Sequence, residues 1–547
     1  MIRKHSFEVF HSGIIKPRLY ESDFWSVGIL KPRIKMQNNL PSLKDRRSGL
    51  LLHLSSLPGP YYCGDLGKTA FKFADFLSAG GQSWWQMLPV NPIGLGNSPY
   101  TTTCSFAGEP LYIDLESLVK DGLLRKSEIV TPQTVSPNRI YYQKARRYRE
   151  PRLKTAFERF TAGNGDLESS QFNQFRSEHK YWLEDFALFC VLAKKYKTRH
   201  WQNWPSDTRR RKKTALAEVR SAFKKELDFI EFLQFKFFTQ WSRLKTYLNA
   251  LNIGLIGDIP FFVGHQSSDV WAKQKYFRLQ RDGSLKYVAG VPPDYYCPAG
   301  QFWGNPLYKW PALQKDGFNW WIERLRHITT LFDVVRLDHF IGFYRYWEIK
   351  AETRSARKGR FRKTPGRELF QAIKSTLGTL PFIAEDLGTV VPEVYALRDE
   401  FGLPGMRILQ FGFGNEASAP YHLPYSYIPN SVVYTGTHDN NTVVGWYGDA
   451  LKDGKEKIRK YNFNLCQDYI GAEQATFHWA MIREAMKSVA NLSIFPMQDI
   501  LGLNEKARMN IPGEAAGNWQ WRLEDKSLTK KLIKRLRKET QTSNRLP

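Results

Sequence analysis

The sequence lacks long apolar runs and is poor in cysteine. No hydrophobic stretch approaches the roughly 20 residues that a membrane-spanning helix needs, so no membrane partner is expected. The five cysteines are odd in number and widely spaced, without a CxxC pair. This pattern predicts free thiols in a reducing compartment rather than a disulfide framework or a zinc site. Tandem repeats and low-complexity tracts are also missing.

Acidic residues are outnumbered: 53 Asp and Glu stand against 80 Lys and Arg, a net charge of +27. Such a charge usually suggests nucleic-acid binding. However, the basic residues are dispersed, and the dense spots at 209–213, 354–367 and 530–538 do not alternate with aromatics as a base-stacking platform would. We therefore expect no nucleic-acid partner and prefer a proteome-wide basic bias as the explanation. Binding of nucleic acid through the basic surface stays open as an alternative.

The first 45 residues carry no continuous apolar segment of the kind found in secretory signals. We interpret residues 1–45 as an extension that is disordered or, if Met36 is the true start, partly untranslated. Glu8, Glu21 and Asp23 argue against an organellar transit peptide, because such peptides are poor in acids. The expected location is the cytoplasm, with the plastid as the alternative.

Eight short apolar segments predict buried parallel strands, at 49–54, 83–90, 253–263, 333–339, 381–386, 405–413, 431–439 and 491–500. Helical patterns lie between many of them, for example at 69–78, 319–330, 367–376 and 472–490. Alternating strands and helices in this number predict a (β/α)₈ TIM barrel over 46–547. The long gap between the second and third strands predicts a mostly helical insertion over about 104–250, with helices at 172–196 and 224–251. A further amphipathic helix is predicted at 527–540.

Four of the predicted strands end in carboxylates, where barrel enzymes carry their chemistry. These residues are Asp258, Asp338, Glu385 and Asp439. Each one alone is better explained as a helix cap or a salt bridge. Four such ends in one chain, with Arg336, His339 and His438 beside them, favour a catalytic cluster.

Paired carboxylates are what glycoside chemistry requires. A retaining mechanism uses one carboxylate as nucleophile and a second carboxyl as proton donor and acceptor, about 5 Å apart. Arg336 lies two residues from Asp338, on the same strand face, and would favour its ionised form. Glu385 follows an apolar run, so burial and nearby carboxylates would raise its pKa, as suits an acid/base. Asp439, beside His438, could hold sugar hydroxyls and stabilise the transition state.

Several motifs together resemble the 4-α-glucanotransferases of glycoside hydrolase family 77, also called amylomaltases or disproportionating enzymes. The resemblance covers about 48–523. It includes segments 51–60, 64–67, 85–89, 97–100 and 257–260, and the long stretch 288–306 with VAGVPPDYY and GQFWGNP. It continues through 336–343, 384–388, 436–440, 507–510 and 517–519. Mild departures occur at 297–299 and at Ile341, which could alter acceptor binding or loop motion.

The resemblance implies that Asp338 is the nucleophile, Glu385 the acid/base and Asp439 the transition-state stabiliser. The predicted substrate-binding residues are Tyr100, Asp294, Trp303, Arg336, His339, His438 and Asn510, which the resemblance implies, and Asp258, Tyr295, Tyr296 and Gln301. The implied reaction transfers an α-1,4-glucan segment, with retention, to the 4-hydroxyl of glucose or another α-1,4-glucan. Expected partners are maltooligosaccharides, amylose, glycogen-derived dextrins and glucose. No metal or organic cofactor is expected, and the chain is expected to be a monomer or weak homodimer.

Transfer exceeds hydrolysis only if water is kept from the glycosyl-enzyme. A lid of aromatics at 295–303 would do this. Pro292, Pro293 and Gly300 indicate a loop there, although ordinary core packing is the alternative for these aromatics. Two other functions compete: an α-amylase-like hydrolase with the same carboxylates, and a starch-binding protein without catalysis.

Overall fold

The apolar runs of the sequence form the strands of a closed barrel. The structure, a computed structural model, describes residues 40–547 except 133–134, 164–165, 294–298, 389, 415–416, 453–456, 472 and 474–475. Over these residues the strands are β1 (Arg47–Leu51), β2 (Trp84–Gln86), β3 (Gly254–Ile259), β4 (Tyr287–Val291), β5 (Gln301–Pro306), β6 (Val334–Leu337), β7 (Arg345–Lys350), β8 (Gly359–Lys363), β9 (Phe382–Ala384), β10 (Gly405–Ile408), β11 (Ser431–Tyr434) and β12 (Leu492–Pro496). The barrel order is β1-β12-β11-β10-β9-β6-β3-β2, with parallel neighbours. The predicted eight-stranded parallel barrel is confirmed.

Helices cover the barrel strands, which explains why most of their residues are apolar and buried. Leu50, Leu255, Val335, Ile383 and Val433 lie on five different strands and are fully buried. A parallel strand covered on both faces has no solvent side and therefore shows no polar alternation. The helices of the described residues are α1 (Lys68–Ala79), α2 (Leu115–Lys120), α3 (Tyr142–Thr161), α4 (Asp166–Glu178), α5 (Lys180–Lys195), α6 (Ser206–Arg209), α7 (Lys213–Ala222), α8 (Lys224–Ala250), α9 (Ser268–Ala272), α10 (Trp310–Lys315), α11 (Asn319–Leu331), α12 (Gly366–Leu377), α13 (Pro392–Glu400), α14 (Val443–Lys452), α15 (Lys457–Ile470), α16 (Phe477–Lys487), α17 (Met497–Ile500) and α18 (Lys530–Thr542).

The predicted strands lie in the right places but are too long at their carboxyl ends. The run at 405–413 holds β10 and then a 3₁₀ helix at Leu409–Phe413, and the run at 491–500 holds β12 and then α17. Apolarity continues there because these turns are themselves buried beneath the rim; Leu409, Met497 and Ile500 are at most 1% exposed. An apolar run therefore indicates which residues are buried. The strand itself ends before the last buried residue of the run.

The segment between β2 and β3 is mostly helical and contains α2 to α8. The pattern predicted at 172–196 divides into α4 and α5, which meet at His179, and the pattern at 224–251 is α8. Helix α8 packs against α5 and β3, so it joins this helical segment to the barrel wall. The boundaries of an insertion subdomain at about 104–250 stay a prediction.

A four-stranded antiparallel sheet, in the order β5-β4-β7-β8, was not predicted. Its strands fall between β3 and β9 in the chain, and β7 begins shortly after the carboxyl end of β6. Residues 301–303, expected in a loop, belong to β5. Phe302 and Trp303 are each 37% exposed, so ordinary core packing does not explain them.

The structure describes the carboxyl-terminal end of the chain but little of the predicted amino-terminal extension. Most of the predicted extension, up to residue 39, lies outside the described residues, while Asn39–Pro547 forms one unit. Among the described residues, no helix is long and apolar enough to cross a bilayer.

Cys63, Cys104, Cys190 and Cys466 are free thiols, and Cys297 lies outside the described residues. The predicted carboxyl-terminal helix is α18, which packs on α1 and α16.

A buried arginine ties the carboxyl terminus to the barrel. Arg545 is 0% exposed, and burial, with a smaller contribution from Arg46, lowers its pKa to about 9. Its guanidinium donates five hydrogen bonds of 2.7–3.2 Å to backbone carbonyls of Arg47, Met486, Ser488, Ala490 and Asn491. These carbonyls lie at the start of β1 and along the segment from the end of α16 to the start of β12.

We expect Arg545→Ala to lower the free energy of unfolding by about 3 kcal/mol or more, because truncation leaves several buried carbonyls without donors. The midpoint of thermal or urea unfolding measures this. Lys538→Ala, on an exposed position of the neighbouring helix α18, is the matched control and should shift stability by less than about 0.5 kcal/mol. Equal shifts in both variants would contradict the role of Arg545.

Candidate active site

The carboxylates predicted from strand ends meet at the carboxyl rim of the barrel. Strands β3, β6 and β9 are neighbours, with Asp258 opposite Arg336 and Leu337 opposite Ala384. Asp338 and Glu385 each follow directly on their strands, so the register alone brings them to the same level. Asp258 is 1% exposed, while the side chains of Asp338 and Glu385 are 27% and 12% exposed. Two partly accessible carboxyls thus lie above one buried carboxylate.

One guanidinium connects all three carboxyl groups. Arg336 Nη1 lies 2.6 Å from Asp258 Oδ2, and its Nη2 lies 3.0 Å from Asp338 Oδ1 and 4.0 Å from Glu385 Oε2. The two predicted catalytic carboxyls are therefore both within 4.0 Å of a single nitrogen. The two carboxyls are therefore close to one another and not in separate pockets.

Glu385 is built to hold a proton. Burial is the largest influence and raises its pKa well above the ordinary value; the charges of Asp338 and Asp386 also raise it, and Arg336 opposes them. Its Oε2 also accepts a hydrogen bond of 2.6 Å from the backbone N–H of His339, which favours the ionised form and opposes the rise in pKa without reversing it. His339 has a φ of 53°, in the left-handed region, and this turn aims its N–H at the carboxyl. The sequence argument for a raised pKa at Glu385 agrees with this environment.

Asp439 lies beyond the carboxyl end of β11 with its own partners. Asn510 Nδ2 donates a 2.6 Å hydrogen bond to Asp439 Oδ1, and His438 Nε2 lies 3.4 Å from the same oxygen. Arg508 Nη2 donates to the Asp439 backbone carbonyl at 2.5 Å. The Asp439 side chain is 45% exposed, so it is oriented by its neighbours yet open to a ligand.

Tyr100 links the two halves of the site. Its hydroxyl donates a 2.7 Å hydrogen bond to Asp258 Oδ2, and its ring stacks on His438 with centroids 5.2 Å apart. The Trp519 ring lies 5.8 Å from both of these rings and supports the stack from behind. Burial lowers the pKa of His438, which leaves a neutral imidazole that can donate a hydrogen bond to a sugar hydroxyl.

Sequence reasoning did not assign Trp519 or Arg508 to the site. Both occur in motifs that carried the family resemblance, at 507–510 and 517–519. Their contacts depend on how the chain after α17 folds back over β11, which periodicity does not reveal. Their presence in those motifs was the one available signal.

An exposed indole borders the site on the side of the antiparallel sheet. The Trp303 ring lies 4.9 Å from the His339 ring, edge to face, and its Nε1 donates a 3.0 Å hydrogen bond to Gln301 Oε1. Burial lowers the pKa of His339 to about 4, so this ring is also neutral near pH 7. The predicted substrate residues Asp294, Tyr295 and Tyr296 lie outside the described residues.

Not every carboxylate at the rim is free for chemistry. Asp386, next to Glu385, is 1% exposed; it forms an ion pair with Arg398 and accepts the backbone N–H of Met406 at 2.8 Å. Asp386 therefore forms a structural salt bridge, which is one of the two roles that the sequence analysis gives to a single carboxylate at a strand end. Asp258 is also paired, but burial raises its pKa to about 7 despite Arg336, and its Oδ1 is buried without a hydrogen-bond partner. Asp258 thus holds Arg336 and Tyr100 in position, because both donate hydrogen bonds to its Oδ2.

A parallel barrel with two neighbouring carboxyls at its carboxyl rim has the arrangement that enzymes acting on glycosidic bonds require. The family model for 4-alpha-glucanotransferase, glycoside hydrolase family 77, matches residues 52–529. The chain belongs to this family, and its activity is that of a 4-α-glucanotransferase. This supports transfer over the amylase-like alternative.

Individual relatives agree with the family assignment. The chain is 44% identical to a 4-alpha-glucanotransferase of Thermus thermophilus over 92% of this chain and 99% of that one. It is 42% identical to the chloroplastic/amyloplastic 4-alpha-glucanotransferase of Solanum tuberosum over 87% and 82% of the two chains. The solved amylomaltase of Streptococcus agalactiae, in complex with acarbose, superposes with a TM-score of 0.86 at 33% identity, covering 92% of this chain and all of that one.

Proposed function

We propose that Asp338 is the nucleophile, Glu385 the general acid/base and Asp439 the transition-state stabiliser for transfer of an α-1,4-glucan segment to the 4-hydroxyl of glucose or another glucan. The observation that carries this assignment is the shared contact with Arg336 Nη2, at 3.0 Å from Asp338 and 4.0 Å from Glu385. A single glycosidic linkage can then reach both carboxyls, as a retaining mechanism requires.

In the first step of this proposal, the Asp338 carboxylate attacks the anomeric carbon while the bond to the leaving oxygen breaks. Glu385 gives its proton to that oxygen, and the departing glucan leaves with a free 4-hydroxyl. In the second step, the 4-hydroxyl of an acceptor attacks the same carbon and gives its proton to Glu385, while the bond to Asp338 breaks. Two inversions at one carbon leave the new α-1,4 bond with its original configuration.

The remaining residues bind and orient the sugar in this proposal. His339 and His438, both neutral, donate hydrogen bonds to hydroxyl groups, and Asp439 accepts them. Trp303 is exposed beside His339 and offers an apolar face to an acceptor sugar. Asp294, Tyr295 and Tyr296 keep their predicted role as a cover over the cleft.

We expect maltotriose to yield glucose together with a ladder of longer maltooligosaccharides, because an acceptor sugar intercepts the glycosyl-enzyme. Chromatography of the products, with a parallel assay of total reducing ends, measures the outcome. Transfer conserves the number of reducing ends, whereas hydrolysis adds one per cleavage. Rising reducing ends without longer products would contradict transfer to sugar acceptors.

Other features stay predictions. We expect maltooligosaccharides, amylose and glycogen-derived dextrins as donors, without a metal or organic cofactor. We also expect a monomer or weak homodimer in the cytoplasm, without a nucleic-acid or membrane partner. Light scattering of the purified chain measures its oligomeric state.

A further inference from the structure

Three arginines converge on one buried glutamate, outside the cleft, on the antiparallel sheet. Glu348 of β7 accepts hydrogen bonds at Oε1 from Arg360 Nε at 2.7 Å and Arg362 Nε at 3.2 Å. Its Oε2 accepts a hydrogen bond from Arg278 Nη1. Arg360 lies directly opposite Glu348 in the β7–β8 pairing, and Arg362 is two residues further on the same face. The sheet register therefore holds this cluster in place.

The cluster carries more positive charge than its own carboxylate can neutralise. Glu348 has a side-chain exposure of 1%; burial alone would raise its pKa, but hydrogen bonds and charges of the three arginines lower it below the ordinary value. One ionised carboxylate thus faces three guanidinium groups. The side chains of Arg360, Arg362 and Arg278 are 57%, 42% and 30% exposed, so the excess charge faces solvent.

The donor geometry leaves hydrogen-bonding capacity toward solvent. Arg360 and Arg362 reach Glu348 through Nε, so their terminal Nη groups lie outside these two bonds. A guanidinium presents five N–H donors in a planar fork that matches the oxygens of a phosphate group. Because Glu348 already restrains these side chains, a ligand would lose less conformational entropy on binding them.

We propose that Arg278, Arg360 and Arg362 form a binding site for phosphate monoesters carried by sugars. Charge-assisted, bidentate hydrogen bonds from arginine are the usual means of holding such a dianion. Two arginines of the dense basic stretch at 354–367 thereby gain a defined ligand, whereas the sequence analysis attributes the charge to a proteome-wide basic bias.

The position of the cluster favours a carbohydrate phosphate over a nucleic acid. Strand β8 is three strands from β5, which carries Trp303, a separation of roughly 14 Å at the usual inter-strand spacing. A phosphorylated glucan in the cleft could span this distance. Tyr287 has the Arg278 and Arg360 guanidiniums 5.0 and 6.0 Å from its centroid. The exposed Phe361 has the Arg345 guanidinium 3.9 Å from its centroid. Because guanidiniums already lie over both rings, neither is an open platform for stacking bases.

The test compares two double variants by calorimetric titration with glucose 6-phosphate at fixed ionic strength. Arg360→Gln with Arg362→Gln removes two charges of the cluster. Arg357→Gln with Lys358→Gln removes two exposed charges from the same hairpin and is the matched control. We expect binding at least tenfold weaker in the first pair and unchanged in the second, with no binding of glucose at the site. Equal losses in both pairs would overturn the site.

In the Arg360→Gln/Arg362→Gln double variant, Glu348 retains Arg278 as its one partner among the three arginines. The single variant Arg362→Gln therefore serves as a milder test. We expect it to weaken glucose 6-phosphate binding at least threefold at an unchanged thermal midpoint; unaltered binding would overturn the proposal. Asp338→Asn should retain full phosphate binding, so loss of turnover and loss of this site are separable.

A second arm identifies the source of the phosphate. Phosphorylated dextrins and the same dextrins after phosphatase treatment are compared as donors. A KM advantage of the phosphorylated form that disappears in the Arg360/Arg362 pair supports a glucan-borne ester. Binding of glucose 6-phosphate without that advantage supports a free sugar phosphate. An RNA oligonucleotide that needs the same arginines and displaces glucose 6-phosphate would overturn the assignment to sugar esters.

Discussion

Replacement of Asp338 by asparagine is expected to reduce kcat on maltotriose by about 10⁴-fold or more, about 5.4 kcal/mol of transition-state stabilisation. The amide keeps the shape of the side chain but cannot form the covalent glycosyl-enzyme. Arg336 retains Asp258 at 2.6 Å, so the site is expected to fold. Steady-state transfer, followed by chromatography, measures the loss.

The matched control is Asp333→Asn, which changes a carboxylate at the opposite end of the same strand. Asp333 Oδ2 accepts the backbone N–H of Leu255 at 2.9 Å, a bond that an asparagine oxygen can preserve. We expect nearly unchanged turnover. In Asp338→Ala, azide should restore cleavage of an activated donor and give the β-glycosyl azide, since the anion attacks where the carboxylate stood. An unimpaired Asp338→Asn enzyme would remove Asp338 from the nucleophile role.

Glu385→Gln is expected to slow transfer from maltotriose by about 10²–10⁴-fold, because the leaving oxygen then departs without a proton. With a maltosyl fluoride donor, whose leaving group needs no proton, formation of the glycosyl-enzyme should be affected far less. A pre-steady-state fluoride burst measures that step. Similar losses with both donors would contradict the role as proton donor.

The pH dependence supplies a second signature of Glu385. Burial, together with Asp338 and Asp386, raises the pKa of Glu385, so the group stays protonated to higher pH than an ordinary glutamate. Activity should fall as pH rises through that pKa, because the proton donor is then lost. This basic limb of the kcat/KM profile should be absent in Glu385→Gln. A basic limb that persists in the variant would assign it to another group.

The barrel could be predicted because its strands are buried on both faces and therefore contain apolar runs that are visible in the sequence. The apolar parts of segments 333–339 and 431–439, at 334–335 and 432–434, each lie in a barrel strand, β6 and β11. The antiparallel sheet was not predictable in the same way. Strand β8 reads Gly-Arg-Phe-Arg-Lys, and Arg360, Phe361, Arg362 and Lys363 are exposed. Its pairing with β7 depends on tertiary context that neither hydropathy nor periodicity carries.

The site was predictable to the extent that it follows strand ends. Asp258, Asp338 and Glu385 end neighbouring strands, so the barrel topology brings them together once the strands are known. Trp519 and Arg508 reach the site from the chain after the last strand, where no element constrains them in sequence. The contact of Tyr100 with Asp258 likewise joins residues 158 positions apart in the chain, across a helical segment, which only folding reveals.

The charge of Asp338 acts directly on Glu385, so the proton affinity of Glu385 depends on whether Asp338 is ionised. While Asp338 is ionised, its field helps Glu385 keep a proton, and Arg336 opposes this. In the proposed glycosyl-enzyme, Asp338 is an uncharged ester, so it no longer raises the pKa of Glu385, while Arg336 still lowers that pKa. We therefore expect the pKa of Glu385 to fall in that intermediate, which leaves the carboxylate ionised and available to accept the proton of the incoming hydroxyl. In the proposed mechanism, the chemical state of Asp338 thus determines when Glu385 donates a proton and when it accepts one.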